Sequence, residues 1–365
     1  MTARITIVTR TKNRPVFLAR ALDDIFAQTF QDFELVIVND GGDPAAVEQL
    51  TSQRSQAEQA RITTLHHAES VGMEAASNAG IKAGTGEFVV IHDDDDFWAP
   101  TFLERTVEYL DDPAHASDAG VMVRTEIVIE EVADGRIEPV RREIFWADLR
   151  QITLADMLRI NRAVPISFLY RRSLHDAVGY YNEDLPVVGD WEFHLRVLSH
   201  ARVGFIDGEP LAFWSQRPES DGHDGNSIFA KAAEHARYDA LVRDDHLRNE
   251  VTQGGMGTVL YLSRVLAEQE ELIRAQERRL DETVAKLDQG PGAAGCPEPD
   301  DHYPHQRGGV PEEATAVGTE AGQPLLTLSH IPPGFGRPSL TSRRVSGNPL
   351  SQCAQIPAVL SGAFM

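Results

Sequence analysis

Cysteine is almost absent from this chain: Cys296 and Cys353 are the only two in 365 residues, and both lie far toward the C-terminus. Two cysteines cannot build a disulfide framework or a cysteine-based metal site, and such low usage suits a reducing compartment. Basic residues are scarce too, because 34 Lys and Arg face 56 Asp and Glu, for a formal net charge of −22. The composition therefore excludes a nucleic acid polymer as a partner bound along a basic surface.

Long apolar runs are missing as well. No stretch approaches the ~18 to 20 apolar residues that a membrane-spanning helix needs. Residues 1–8 enter a predicted strand at once, without the apolar core of a signal peptide. We therefore expect a cytoplasmic protein. The hydrophobic content of 42% suffices for a sizeable core, and a chain of this length has room for about two domains.

Short apolar runs alternate with helix-like segments over the first hundred residues. The runs lie at residues 5–8, 35–38, 62–65 and 88–91. Apolar residues at helical spacing predict a helix at residues 15–28. Two further helices are predicted at residues 44–58 and 73–83, the last closed by Gly84 and Gly86. Most of the runs are unbroken and β-branched, which is typical of strands covered on both faces. The sequence thus predicts an α/β fold, with a mainly parallel, Rossmann-like sheet and helices on both faces.

Four consecutive aspartates, Asp93 to Asp96, follow the last of these runs and precede Phe97 and Trp98. Adjacent carboxylates repel one another, and a divalent cation relieves that repulsion. Mg²⁺ and Mn²⁺ prefer hard oxygen ligands and in turn attract phosphate oxygens. The alternative is an acidic surface turn, or negative charge at the start of the next helix. An EF-hand calcium loop is excluded, since the sixth position from Asp93 is Trp98 and not glycine.

Polar residues also follow the first two predicted strands: Arg10 and Thr11 after one, Asp40 after the other. Ligands of open α/β sheets bind outside the carboxyl ends of the strands, so we expect these residues to meet the acidic run in one site. Each segment alone is also consistent with an ordinary loop. The loop after the first strand lacks the glycines of a dinucleotide-binding fingerprint, and no Walker sequence occurs.

Four segments in a fixed order carry a resemblance to a known family. They are residues 7–15, 28–42, 72–87 and the acidic run, in which Asp93 to Asp95 match an Asp-x-Asp motif. Together the segments resemble the family 2 inverting glycosyltransferases with a GT-A fold, especially those that build bacterial surface polysaccharides. The likeness spans nearly all of residues 4–100 and continues more loosely through residues 179–193.

The resemblance implies transfer of a sugar from a nucleoside diphosphate sugar, a UDP- or dTDP-sugar, to a glycan or lipid-linked acceptor. It implies Mn²⁺ or Mg²⁺ as cofactor, with Asp95 as the direct metal ligand. The residues that it assigns to the donor nucleotide are Arg10, Thr11, Asp40, Asp93 and Asp94. A lipid-linked acceptor would bring the protein to the inner face of the membrane.

Asp190 falls on the aspartate that serves as catalytic base in the family. The glutamate that usually precedes it is replaced by Gly189, and Ser77 stands where many members carry arginine. An acidic first turn of a helix is the alternative interpretation of Asp190, and Glu192 is its nearest competitor as base. His223 matches a late histidine that sometimes adds a metal ligand in related enzymes, against the alternative of an exposed loop histidine.

The predicted organisation has four parts: a nucleotide-sugar-binding half, an acceptor-binding half with the base, an amphipathic helix and a disordered Gly-, Pro- and Ser-rich tail. Their ranges are residues 1–100, 101–250, 251–288 and 289–365. Within the helix, Leu266, Ile273, Leu280 and Leu287 recur every seven residues. The second apolar position of each heptad is mostly polar, which leaves a weak homodimer through this helix as an open alternative.

Two other functions remain open at this point. A sugar nucleotidyltransferase shares the sheet and metal chemistry, but such enzymes usually carry a Gly-rich basic loop after the first strand. A catalytically silent interaction protein is the non-enzymatic alternative, and Gly189 and Ser77 are the departures that favour it.

Overall fold

A computed structural model describes residues 3–133, 136–218 and 232–288. The described residues up to Gly257 belong to one compact unit, and those from Thr258 onward belong to a second. His223 and the tail at residues 289–365 lie outside the described residues.

The described residues form eleven strands and ten helices. The strands are β1 (Ile5–Thr11), β2 (Phe33–Asp40), β3 (Ile62–His67), β4 (Phe88–Ile91), β5 (Phe97–Trp98), β6 (Asp118–Val123), β7 (Thr125–Ala133), β8 (Arg136–Ile144), β9 (Phe168–Arg171), β10 (Arg202–Ile206) and β11 (Ala212–Gln216). The helices are α1 (Pro15–Phe26), α2 (Pro44–Ser52), α3 (Gln56–Gln59), α4 (Met73–Ala83), α5 (Phe102–Asp111), α6 (Leu154–Arg159), α7 (Leu174–Val178), α8 (Gly189–His200), α9 (Ala232–Glu250) and α10 (Met256–Asp288). Single 3₁₀ turns occur at Pro113–His115 and Pro165–Ser167.

The larger sheet has seven strands in the order β10-β6-β9-β4-β1-β2-β3. β1 lies between β2 and β4 and is parallel to both, with Ile7 opposite Leu35 and Val90. β9 is antiparallel to its neighbours β4 and β6. The predicted α/β fold with a mainly parallel sheet is therefore confirmed.

Alternate residues of the central strands pack on opposite faces of this sheet. Ile7 joins one apolar cluster, together with residues of α1 and α5. Val8 joins the other, together with residues of α4 and α8. Both faces are covered by helices, which explains why β-branched residues fill these strands without polar alternation.

The smaller sheet has four strands in the order β5-β11-β7-β8. β5 follows the acidic run directly and pairs antiparallel with β11, while β11 runs parallel to β7. The acidic run is therefore the link between the two sheets, and its side chains reach residues of both.

The predicted helices differ from the observed ones in one informative place. Residues 73–83 form α4 as predicted, but the helix predicted over residues 44–58 is interrupted and becomes α2 and α3. Ser55 begins α3 through a capping box: its hydroxyl accepts a hydrogen bond from Glu58 N, and the Glu58 carboxylate accepts one from Ser55 N.

The predicted C-terminal helix corresponds to α10, which follows α9 after a kink at Val251–Gly255, where Gly254 has φ +109°. The side chains of Leu266, Ile273 and Leu280 are each more than half exposed, and the Leu287 side chain lies outside the described set. The weak homodimer stays a prediction. Of the helices in the described parts of the chain, none is long and apolar enough to cross a membrane.

Candidate active site

Arg10 lies near the end of β1 and binds the first aspartate of the acidic run. Its Nε and Nη2 donate to the two carboxylate oxygens of Asp93 at 2.7 and 2.6 Å. Its Nη1 donates to the Ser77 hydroxyl at 3.2 Å and to the Met73 carbonyl at 3.3 Å. The guanidinium therefore bridges β1, α4 and the acidic run.

The next two aspartates are buried and are neutralised by arginines. Asp94 accepts hydrogen bonds from Arg14, including one from Nε at 3.2 Å. Asp95 accepts from Arg14 Nη1 at 3.2 Å and from Arg217. Burial raises the pKa of Asp94 to about 6 against the opposing charge of Arg14. Burial also acts on Asp95, but Arg14 and Arg217 together hold its pKa below the ordinary value.

The last aspartate and a distant glutamate complete the cluster. Asp96 accepts a hydrogen bond from Ser215 N at 2.9 Å, and burial beside Asp95 and Asp93 raises its pKa well above the ordinary value. Glu130, on β7, accepts from Arg20 at 2.5 Å and from Arg217 at 3.2 Å. The acidic run is thus an interior ion-pair network, and the alternative of a solvated surface turn is wrong.

Asp40 ends β2 and organises the loop that leads into α4. Its carboxylate accepts hydrogen bonds from the Ser70 hydroxyl at 2.6 Å, Val71 N at 2.9 Å and Gly72 N at 3.1 Å, and His67 Nδ1 lies 2.9 Å away. Burial would raise the pKa of Asp40, but these hydrogen bonds hold it below the ordinary value. In this arrangement both carboxylate oxygens bind groups of the protein itself.

A cavity of about 490 Å³ opens beside the Arg10–Asp93 pair. Its charged and polar lining includes Arg10, Glu74, Asp93, Asn161, Asp190 and Asp239. Its aromatic lining consists of Phe145, Tyr181, Trp191, Trp214 and His235. Three of the residues singled out in the sequence, Arg10, Asp93 and Asp190, therefore share one cavity. The described lining of the cavity does not include Thr11, Asp40, Asp94 or Asp95.

Asp190 lies in the first turn of α8 and faces the cavity. Its Oδ2 accepts a hydrogen bond from the Asn161 side chain at 2.9 Å. Glu192, its competitor from the sequence, instead forms a bidentate pair with Arg196 on the next turn, at 2.7 Å for both bonds. Glu192 is not part of the described cavity lining, so the geometry favours Asp190.

The sequence did not single out Glu74, Asn161 or any residue of α9. Arg243 holds α9 beside the cavity by donating to the carbonyls of Leu158 and Arg159 at 2.6 and 3.1 Å. Its guanidinium also lies 4.6 Å from the centre of the Trp191 ring. The sequence shows no pattern that relates α9 to the cavity, because the contacts join segments that are distant along the chain.

A divalent cation fits this site only if it binds together with the phosphates of the substrate. Among the described residues, no three His, Cys, Asp or Glu side chains are arranged to enclose a metal ion. Magnesium in nucleotide sites, however, is usually bound by one or two carboxylates plus the substrate's phosphates, and not by a protein cage. Asp93 lines the cavity and supplies oxygen donors of that type, so it fits a cation that arrives with a diphosphate. Asp95 lies outside the described lining, and its Oδ2 already pairs with Arg14 and Arg217, so its role as metal ligand stays a prediction.

Comparison with known proteins decides the family. The model of "Glycosyl transferase family 2" matches residues 6–179. The uncharacterized glycosyltransferase YwdF of Bacillus subtilis is 34% identical over 204 residues, which cover 55% of this chain and 70% of that protein. The chain belongs to glycosyl transferase family 2.

This family 2 glycosyltransferase is also similar, at lower identity, to one further curated protein and to a solved structure. The uncharacterized glycosyltransferase EpsJ of Bacillus subtilis is 26% identical, with 59% of this chain and 62% of that protein covered. The mannosyltransferase PcManGT of Pyrobaculum calidifontis, solved with GDP-Man and Mn²⁺, is 18% identical at a TM-score of 0.47, with 68% of this chain and 65% of that one covered. The chain thus spans less than two thirds of both proteins.

One departure from the family pattern has a local compensation in this glycosyltransferase. Ser77 replaces the arginine of many members, yet a guanidinium still reaches this place, because Arg10 donates to both Ser77 and Asp93. Ser77 is fully buried, so an arginine side chain there would compete with Arg10 for the same partners.

Proposed function

We propose that this enzyme is a metal-dependent inverting glycosyltransferase. It moves a sugar from a nucleoside diphosphate sugar, a UDP- or dTDP-sugar, to an acceptor hydroxyl. The product belongs to a surface polysaccharide or another glycoconjugate, and the acceptor is a glycan or a lipid-linked sugar in the cytoplasm or at the inner face of the membrane. The observation that carries the proposal is the cavity that Arg10 and Asp93 share with Asp190.

The donor side of the reaction involves the Arg10–Asp93 end of the cavity. The guanidinium of Arg10 is permanently charged and attracts diphosphate oxygens, while its two parallel hydrogen bonds are made to Asp93. Mn²⁺ or Mg²⁺, when bound with the donor, neutralises the charge that grows on the leaving diphosphate. Asp93 and Asp95 would hold this cation. Thr11, Asp40 and Asp94 remain proposed contacts of the nucleotide and lie on the same edge of the sheet.

The acceptor side involves Asp190. As the acceptor oxygen attacks the anomeric carbon, its proton passes to the Asp190 carboxylate and the bond to the diphosphate breaks, which inverts the configuration. Asn161 donates a hydrogen bond to Oδ2 of Asp190, so we assign the proton to Oδ1. The aromatic lining of the cavity supplies apolar faces against which sugar rings can stack.

Asp190→Asn tests the proposal most directly. We expect the wild-type protein to transfer sugar from at least one donor in a panel of UDP-, dTDP- and GDP-sugars, and Asp190→Asn to lose transfer by about 10²-fold or more, the order of a general base. UDP should still raise the melting temperature of this variant, measured by differential scanning fluorimetry with Mn²⁺.

The matched control is Asp148→Asn, since Asp148 is exposed and does not belong to the described lining of the cavity. It should transfer sugar like the wild type. Loss of UDP binding together with transfer in Asp190→Asn would give Asp190 a structural role instead. Absence of transfer from every donor would contradict the proposal as a whole.

A further inference from the structure

Gly189, the residue directly before Asp190, packs against the carboxyl group of Glu74 on α4. A Cβ atom added at Gly189 would lie 2.4 Å from both Cδ and Oε1 of Glu74 and 2.6 Å from its Cγ. Real Cβ atoms do not approach heavy atoms this closely. Gly189 is not among the residues with positive φ, so its backbone does not require glycine. A side chain at position 189 would instead have to displace the Glu74 carboxyl group from the space that it occupies.

Glu74 is a buried acid in the first turn of α4, only 5% exposed, and it lines the same cavity as Asp190. Its Oε2 lies 4.0 Å from Arg10 Nη1. Burial raises the pKa of Glu74 to about 8, against the opposing charge of Arg10 and with the added repulsion of Asp190, Asp93 and Glu192. At neutral pH the group is therefore mainly a neutral carboxylic acid, which can lie next to the charged base without repelling it.

The turn that carries Asp190 begins in a strained conformation. Val188, the residue before α8, has φ +58° and ψ +13°, a left-handed conformation that a β-branched residue adopts only when its surroundings enforce it. Gly189 follows at once, packed on Glu74. The backbone on the N-terminal side of the base is thus fixed by contacts and not by its own preference.

We propose that Glu74 is a positioning residue for Asp190: its carboxyl group, in the space that Gly189 leaves free, packs against the first turn of α8 and fixes the direction of the base. The inference rests on the proposed function, because it concerns the geometry of the same base. A small displacement of a reacting group costs up to about 10²-fold in rate, which makes the contact measurable.

The steric part of the inference is tested without any substrate. We expect Gly189→Ala to lower the melting temperature by about 4 °C or more, because the added methyl group overlaps Glu74. In a Glu74→Ala background the same change should lower it by less than half as much, since the space is then free. Equal shifts in both backgrounds would overturn the inference.

The functional part uses Glu74→Ala and Glu74→Gln, with Glu48→Ala on the exposed surface of α2 as the matched control. Donor hydrolysis, in which water is the acceptor and takes the sugar, would be followed as nucleoside diphosphate release with Mn²⁺ and each of UDP-glucose, UDP-N-acetylglucosamine, dTDP-glucose and GDP-mannose. We expect Glu74→Ala to lower kcat by about 10- to 100-fold with donor KM within about threefold of wild type. Glu74→Gln, neutral and of the same shape, should recover kcat to within about fivefold, and Glu48→Ala should match wild type.

The outcomes separate the two proposals. If the wild type releases nucleoside diphosphate and Glu74→Ala has an unchanged kcat, the inference is overturned and the proposed function stands. The inference is also overturned if Glu74→Ala changes donor KM alone, because Glu74 would then be a donor contact. If the wild type releases none from any of the four donors, the proposed function fails and the positioning role fails with it.

Discussion

At the scale of single residues, the acidic run is explained by its arginines. Four carboxylates in a row are tolerated in the interior because Arg10, Arg14 and Arg217 contact three of them, and buried charges persist only when paired. The sequence indicated that something positive must balance the run, and we predicted a cation. Arg217 could not be identified from sequence, since it follows a strand of the other sheet and nothing in its spacing relates it to Asp95.

Arg217→Met is expected to be strongly destabilising. The Arg217 side chain is fully buried and pairs with Asp95 and Glu130, so its removal leaves interior carboxylates with fewer partners and should cost about 3–5 kcal/mol of unfolding free energy. Urea denaturation measures this loss. Arg248→Met is the matched control, because Arg248 pairs with Asp244 on the exposed surface of α9, and it should cost less than about 1 kcal/mol. Similar costs for the two variants would contradict the interior network.

Only some of the residues that line the cavity were identified from the sequence. Arg10 and Asp93 were identified from their positions at the carboxyl ends of strands, because these ends lie at the same edge of a parallel sheet, where ligands bind. Asp190 was found through the resemblance. Asp95, the predicted metal ligand, lies among arginines and outside the described lining of the cavity, and its role stays a prediction. Glu74 was missed because a glutamate in the first turn of a helix is ordinary on sequence grounds.

At the scale of elements, local patterns predicted some boundaries and missed others. The extent of α4 was predicted correctly, because Gly84, which directly follows Ala83, is a residue type that commonly ends helices. The interruption between α2 and α3 was missed, because the Ser55–Glu58 capping box is a start signal that apolar spacing alone does not reveal. β5 is only two residues long and is defined by its pairing with β11, so periodicity cannot predict it.

Helix α8 contains a buried histidine that should make stability depend on pH. His194 is 1% exposed, and within the described structure neither of its ring nitrogens has a hydrogen-bond partner. Burial lowers its pKa from 6.5 to about 4. Between pH 6.5 and 4 the unfolded chain therefore binds more protons than the folded protein, so stability falls as the pH falls through this window.

His194→Leu is expected to remove part of this loss. The melting temperature of the wild type should drop between about pH 7 and pH 4.5, and the drop should be smaller in the variant, by an amount that corresponds to at most about 3 kcal/mol. Burial also lowers the pKa of His175 to about 4. His175 remains in both proteins, so the melting temperature of the variant should still fall somewhat as the pH falls. His200→Leu, at the exposed end of the same helix, should retain the full slope. An unchanged slope in His194→Leu would show that His194 is not buried neutral.

At the scale of the whole molecule, the parallel strands at the start of the larger sheet were predictable, whereas its antiparallel strand β9 and the smaller sheet were not. Strand–helix alternation leaves few alternatives to a parallel sheet, since crossovers between parallel strands need a helix and have a fixed hand. The antiparallel β9 and the four-stranded sheet depend on pairings between distant segments, which one sequence does not reveal. The acidic run lies where the two sheets meet, and the cavity that opens beside it is lined by residues of both α4 and α8.

Ligand binding to the folded protein should report on the cation, because a ligand that binds only the native state raises the stability of the whole molecule. UDP at about 100 times its Kd should add about 2.7 kcal/mol of unfolding free energy, seen as a rise of several degrees in melting temperature. We expect this rise with Mn²⁺ or Mg²⁺ and its loss with EDTA. Asp95→Asn should reduce the UDP-induced rise with Mn²⁺ to less than a third, while Asp148→Asn keeps it. The comparison uses the rise and not the absolute melting temperature, since Asp95→Asn also weakens the pairs with Arg14 and Arg217. An equal rise with and without EDTA would refute the metal role of Asp95 and leave nucleotide recognition to the arginines.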